Sequence, residues 1–596
     1  MNTASAVPGL GATLVAPQPL RQYALLADGE RGVLVGPHGD HAWMCAPRWD
    51  SDAVFSTLIG GPGQYVVVPL ARGVWGGYYE AGTLIWRSRW VTDDGVVTSR
   101  EALAFPGDRH RAVVLRRIVA EHGTARMSVA LQPGTDDGRQ HLRGLAQEGE
   151  GVWCARVGDL WLRWSGCTGR LRGTEDGGRR LTTELTVGPD SCHDLVLEIG
   201  DRPLPARPPD PEETWRATEA AWHSAVPELR HTVAPADARH AYTVLRGLTA
   251  SSGGMVASVT TSLPERAEEG RNYDYRYVWI RDQCYAGQAV AAVGATALLD
   301  DAVRFVTARL HQDGPRLAPA YTADGRTVPR ERRLDLPGYP GGFDIVGNDV
   351  STQFQLDVFG EALLLLGAAA RQDRLDADGR RAVAIAADAI AQRWTEPDAG
   401  IWELRPQRWA HSRLICAAGL RAAAAQRILD GRSDDWLRLA DRLVTYTADR
   451  CLHPSGRWQR SPGDTGLDGS LLLAAIRGAV PGDDPRTVAT LGAYIRELTD
   501  DYFAYRFRHD ERPLQEAEGA FLLCGFVTAL AEHQQGREVE AFRWFERNRA
   551  ACGPAGLYSE EYDIAQRQMR GNLPQAFVHA LMLECAARLA GPWAGA

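Results

Sequence analysis

Hydrophobic and polar positions follow two different rhythms along this chain. Up to about residue 200, apolar residues come in short strand-length runs. They are Gln64 to Val68 after a Gly-Pro-Gly turn, Gly82 to Trp90 before Asp93-Asp94-Gly95, Arg111 to Val119, Ala125 to Leu131, Val152 to Trp164 and Leu181 to Val187. Strand side chains alternate between faces, so this rhythm predicts β-structure. Many short strands between Gly, Asp and Pro clusters predict an antiparallel sandwich. Residues 201–213 then carry five prolines, which predicts a linker. The domain reading is a β-sandwich over 1–200, a linker with a helix over 201–235 and a helical domain over 236–596.

From about Ala236 the apolar spacing becomes that of helices. Twelve are predicted, near 236–252, 283–296, 298–312, 352–371, 376–395, 410–429, 432–451, 466–480, 484–498, 516–535, 537–550 and 573–590. The connections alternate in length. Long ones span 253–282, 313–351, 396–409, 452–465, 499–515 and 551–572, and the others are only a few residues. That alternation fits six helical hairpins closed into an (α/α)6 toroid with every long loop on one face. Helical repeats put insertions on their binding face. An open solenoid would place the loops similarly without joining its ends.

Composition changes this picture mainly by exclusion. The 596 residues contain no lysine, so all 66 basic residues are arginine. Schiff-base chemistry, phosphate-loop nucleotide binding and Ser-Lys dyads are excluded. A net charge of -9 with no basic cluster argues against nucleic acid. No apolar stretch reaches the length of a membrane span, and no charged segment leads into an apolar run before or after Arg21 as a signal peptide would need. The ten cysteines form no CxxC pair. Cys284, Cys416, Cys524 and Cys585 fall in apolar helical patterns, which suggests reduced thiols and a cytoplasmic location. No metal-spaced His/Cys cluster, HExxH or GxSxG occurs, so neither metal nor cofactor is expected.

The long loops carry the candidate chemistry. The first runs from Arg271 to Asp282, with Tyr273, Tyr275, Tyr277 and Trp279 alternating with polar residues before Arg281-Asp282. At a helix start, an Asp is ordinarily an N-cap. The aromatic density points instead to stacking faces beside an Arg and a carboxylate that grip vicinal hydroxyls. The third holds Glu403 between Trp402 and Leu404, where indole contact would favour the protonated form and suit a general acid. The last has Glu560, Glu561 and Asp563 between tyrosines. One ionised member there suits a general base. Taken alone, each of these carboxylates would more often be a solvated surface charge. Two carboxylates from opposite parts of a ring are what glycoside hydrolysis requires.

These loops resemble glycoside hydrolase family 15, the glucoamylase and bacterial trehalase group. Tyr-Arg-Tyr-Val-Trp-Ile-Arg-Asp (275–282) looks like its substrate-binding loop, Gly-Ile-Trp-Glu (400–403) like its general-acid motif, and Ser-Glu-Glu-Tyr (559–562) like its base motif. Segments 23–29, 347–358, 518–521 and 572–579 are similar as well. The resemblance implies Glu403 as general acid and Glu560 as general base. It also implies Arg281 and Asp282 as the grip on the terminal glucose, and Trp279, Tyr277 and Trp402 as pocket walls, with Glu561 beside them. The implied reaction is single-displacement hydrolysis with inversion, without cofactor, on α-glucosides such as malto- or isomalto-oligosaccharides. Trehalose is the second substrate reading. An inverting phosphorylase and a silent glucan-binding protein rank lower. Phe343 to Val346 and Leu404 to Gln407 depart from the family pattern on the leaving-group side, which decides among these substrates. The pH limbs of the rate are expected to belong to Glu403 and Glu560, not His411 or His579, with Arg413 a lesser cation for the sugar.

Overall fold

The computed structural model describes residues 15–593 except 137, 168–171, 174–179, 267–271 and 510–511. Arg271, the first residue of the aromatic loop, lies outside the described residues.

The first two hundred residues form two antiparallel eight-stranded sheets. One runs, in spatial order, Ala24–Ala27, Gly32–Val35, Asp40–Cys45, Gln64–Pro69, Ala125–Gln132, Leu181–Val187 and Arg172–Gly173, with Ala53–Phe55 paired to Asp40–Cys45. The other runs Leu142–Gly149, Val152–Val157, Leu160–Ser165, Cys192–Gly200, Arg111–Gly123, Gly95–Leu103, Trp86–Thr92 and Gly73–Tyr79. Burial alternates along Leu181–Val187, as a half-exposed strand requires. Asp40–Cys45 is buried throughout, because its outer face meets the helical domain, where Trp43 Nε1 donates to the Val259 carbonyl at 2.7 Å. The run Val152 to Trp164 is two strands, broken where Gly158 takes a positive φ of 56°. Leu142–Gly149 carries no apolar alternation because it is an almost wholly exposed edge strand.

Helices α1 (Pro211–Ala225) and α2 (Pro235–Leu248) lead into the second domain. Asp210 caps α1 by accepting from the Glu213 amide, and Pro211 takes the first helical position, where its missing N–H costs nothing. There follow α3 (Ile280–Ala292), α4 (Ala297–Asp313), α5 (Asp357–Arg371), α6 (Ala377–Arg393), α7 (Ala410–Ala425), α8 (Ser433–Arg450), α9 (Leu473–Ile476), α10 (Pro485–Glu497), α11 (Leu514–Ala517), α12 (Leu522–Gln534), α13 (Glu538–Arg549) and α14 (Ala576–Arg588). An inner ring of α3, α5, α7, α9, α12 and α14 closes where α14 packs on α3. Inner helices are apolar nearly all round, as a doubly covered helix must be; α5 is buried from Asp357 to Ala369. Outer helices bury one stripe: α8 buries only Trp436, Ala440, Leu443 and Thr447.

The ring differs from the predicted one in four places, the first being that α5 starts at Asp357 and not near 352, after a separate 3-10 turn at Asp349–Thr352. The expected helix at 466–480 is a 3-10 turn, Gly469–Leu472, followed by the single turn of α9. Asp468 caps that turn from its side chain, and Gly478 leaves the helix at a positive φ of 87°. The span 516–535 divides into α11 and α12, because Glu518 is fully extended. Helix α3 starts at Ile280 with Trp279 at its cap position, so Asp282 lies in the first turn and is not a cap. Every inner helix follows a long loop, and the loops before α3, α5, α7, α12 and α14 together line one depression.

Candidate active site

That depression is a cavity of about 380 Å³, within the range of small-molecule sites. Trp279, Arg281, Asp282 and Tyr285 come from the start of α3, and Trp402 and Glu403 from the loop before α7. Arg506, Phe507 and His509 come from the loop before α12, and Glu560 and Gln575 from the segment before α14. Among the described residues, none of the β-domain lines it.

Glu403 sits at a positive φ of 55°, a strained left-handed conformation for a residue with a side chain. Trp279 Nε1 donates to its Oε1 at 2.8 Å, Gln355 Nε2 reaches the same oxygen at 3.2 Å, and Arg281 Nη2 stands 3.6 Å away. The indole on this carboxylate is therefore Trp279, not the neighbouring Trp402. All three contacts fall on Oε1, and Glu403 lines the cavity. Arg281 is held beneath by Gln355 at 2.7 Å and Asp357 at 3.4 Å. Burial works against its cation, but Asp357, Asp282 and Glu403 outweigh it and raise its pKa. Burial pushes the Asp282 carboxyl up to about 7 despite Arg281, with Glu403 adding to the rise.

Glu560 lies among carboxylates. Tyr275 donates to its Oε1 at 3.2 Å, while its buried Oε2 has no partner among the described residues. Gly571, at a positive φ of 76°, lies so close that a Cβ there would stand 3.3 Å from that oxygen. Burial, then Glu265, push the Glu560 carboxyl well above its ordinary value, against Arg506 and the Tyr275 hydrogen bond. Arg506 gathers Glu518 at 2.7 Å and Glu265 and Glu561 at 3.1 Å each. Arg506 and His509 overcome burial at Glu518 and hold it down to about 2. Glu561 stays well above the usual range through burial and Glu265.

Two of the expected substrate-binding residues, the wall residue Tyr277 and also Glu561, lie elsewhere. Tyr277 falls at a bend just before the strand Val278–Trp279, which breaks the alternation of the aromatic loop. Its ring packs with Ala257, Ala320, Val328 and Val350, facing the β-domain. Tyr273 and Tyr275 line the cavity instead. Glu561 points beneath the site, accepting from the Gly519 amide at 2.8 Å. Arg413 is buried on Asp398 away from the cavity. His411 is buried too, and burial with nearby Arg281 depresses its pKa to about 3. His579 packs under Tyr558.

Sequence reasoning missed Glu265, Gln355, Asp357, Arg506 and Gln575. Arg506 had a usable signal, since Tyr505-Arg506-Phe507 repeats the aromatic–arginine alternation of the first loop. Glu265 had none. Trp402 Nε1, Tyr285 Oη, Glu560 Oε2 and Gln575 Oε1 are buried without a partner among the described residues. Buried polar atoms normally find partners, so donors and acceptors together around one cavity describe a site for a polyhydroxyl ligand. Among the described residues no cluster able to hold a metal ion occurs, and no helix is long and apolar enough to cross a membrane.

Comparison with known proteins agrees with this geometry. The chain is 30% identical to a trehalase of Mycolicibacterium smegmatis, over 95% of this chain and 90% of that one. It is equally identical to a trehalase of Mycobacterium tuberculosis, over 95% and 88%. A trehalase of Sulfolobus acidocaldarius is 29% identical over 57% of this chain and 61% of its own. A bacterial glucoamylase crystallised with acarbose shares the fold, with a TM-score of 0.73 at 15% identity over 99% of this chain and 97% of that one. Residues 14–222 match the trehalase-like N-terminal family, and residues 240–587 match the Glycosyl hydrolases family 15, so the chain belongs to glycoside hydrolase family 15.

Proposed function

We propose that the protein hydrolyses α,α-trehalose to glucose with inversion at one anomeric carbon. The observation that carries this reading is one cavity holding Glu403 and Glu560 on separate loops, in a chain alignable over 95% of its length with relatives named trehalase. Glu403 presents Oε2 to the glycosidic oxygen and protonates the leaving glucose. Glu560 Oε2 accepts a proton from water, which attacks the opposite face of the ring. Arg281 and Asp282 hold hydroxyls of the glucose that is attacked, between Trp279 and Trp402. The sequence reading placed malto- and isomalto-oligosaccharides first and trehalose second; the relatives support the reverse order.

The test is glucose release from trehalose, maltose, isomaltose and soluble starch, with the anomers followed by NMR before mutarotation. Inversion on trehalose yields equal initial amounts of α- and β-glucose, because the leaving half keeps its configuration. Only α-glucose would indicate retention and overturn the two-carboxylate roles. Activity on maltose or starch without trehalose would restore the oligosaccharide reading.

A further inference from the structure

The ring has a second mouth. Opposite the long loops, where α3, α5 and α14 end, lies a cavity of about 320 Å³ lined in part by Gln288, Arg371, Gln372, Arg477 and Arg588. Three guanidiniums share few counter-charges there. Glu584 accepts from Arg477 at 2.6 and 3.0 Å and from Arg588 at 2.8 Å, so one carboxylate serves two of them. Glu361, bonded by Gln288 at 2.9 Å, is the next carboxylate; burial raises it to about 7 against Arg477 and Gln288. Arg371 is exposed at the rim and has no ion-pair or hydrogen-bond partner among the described residues. The buried Arg477 Nε is likewise unpartnered among the described residues. The carbonyl ends of the helices account for Arg371 and Arg588 in their last turns. They do not account for a polar cavity between three arginines, or for the open Arg477 Nε.

We propose that this rear cavity binds a small oxyanion bearing hydroxyls, in chemical class a sugar phosphate. Guanidinium groups match the geometry of a phosphate head; the Arg477 fork is held by Glu584, so Arg371 and the Nη groups of Arg588 supply the donors, with Arg477 adding positive charge behind them. The amide nitrogens of Gln288 and Gln372 are engaged by Glu361 and by the Ala291 carbonyl, which leaves their side-chain oxygens to accept from hydroxyls. Tyr285 separates this ligand from the front site: it lines the front cavity, and the Arg477 guanidinium covers its ring at 5.7 Å. Both cavities can therefore be filled at once.

Calorimetry on the full chain tests this with glucose 6-phosphate and, separately, inorganic phosphate. The expected result is one saturable glucose 6-phosphate site per chain, with inorganic phosphate competing more weakly. Arg371→Gln weakens glucose 6-phosphate binding about tenfold or more. It leaves the melting temperature and hydrolysis unchanged, since Arg371 lies at the rim and touches nothing in the front cavity. Glu403→Gln leaves this binding intact. Absence of saturable binding, binding indifferent to Arg371→Gln, or binding lost in Glu403→Gln would each overturn the proposal. Inorganic phosphate binding as tightly as glucose 6-phosphate would overturn its sugar part.

Discussion

Glu403 and Glu560 reach the same cavity through opposite local devices. Glu403 is lifted into it by a strained backbone and steadied through one oxygen, whereas Glu560 is buried and partnered on one side only. Glu403→Gln and Glu560→Gln should each lower kcat by about 10²- to 10⁴-fold with little change in melting temperature. Kinetics and thermal unfolding on the two variants check this. A base works ionised, so a raised Glu560 pKa means that kcat/KM falls as pH drops through that raised value. Glu265 raises Glu560 and Arg506 lowers it. Glu265→Gln should therefore move the acid limb to lower pH and Arg506→Gln to higher pH. Limbs moving together, or staying fixed, would show that another group sets the profile.

At the scale of elements, the aromatic loop before α3 is positioned from outside its own domain. Asp274 grips Arg276 at 2.6 Å and accepts from the Gly347 amide at 2.9 Å. Arg276 in turn reaches the Ser51 carbonyl of the β-domain at 2.9 Å. The pair is buried, so removing one partner strands a charge. Arg276→Ala should cost about 3–5 kcal/mol of stability, and it should raise KM more than it lowers kcat, because Trp279 and Arg281 follow directly. Denaturant unfolding and steady-state kinetics give the two numbers. Unchanged KM in a folded variant would mean that the loop holds its shape without the β-domain. Much at this scale was legible beforehand. Loop lengths and helical rhythm located the ring and its site-bearing face, because both follow from local backbone geometry. Helix α9 was not legible, since four apolar residues in a row satisfy a long helix and a single capped turn alike.

For the whole molecule, the described residues of the β-domain pack on the ring without lining its cavity. Trp43 to Val259 and Arg276 to Ser51 tie the two together. Residues 235–596 expressed alone should melt below the full chain and lose most activity, although every residue lining the front cavity is retained. Circular dichroism and the trehalose assay on the shortened chain decide this, and full activity would reduce the β-domain to a passive cover.

The amino-acid sequence by itself determined the two rhythms, the ring and the motifs carrying Glu403, Glu560, Arg281, Asp282, Trp279 and Trp402. Each depends on neighbours within a few positions, which a linear pattern records. Only the tertiary structure decided that Tyr275 faces the cavity while Tyr277 faces the β-domain, since a single bend reverses an alternation. Only closure of the ring brought Arg506 onto Glu265, 241 positions earlier, and placed that pair beside Glu560. The three arginines at the rear mouth also meet only once the helices that carry them pack side by side, because charge on one helix says nothing of what faces it.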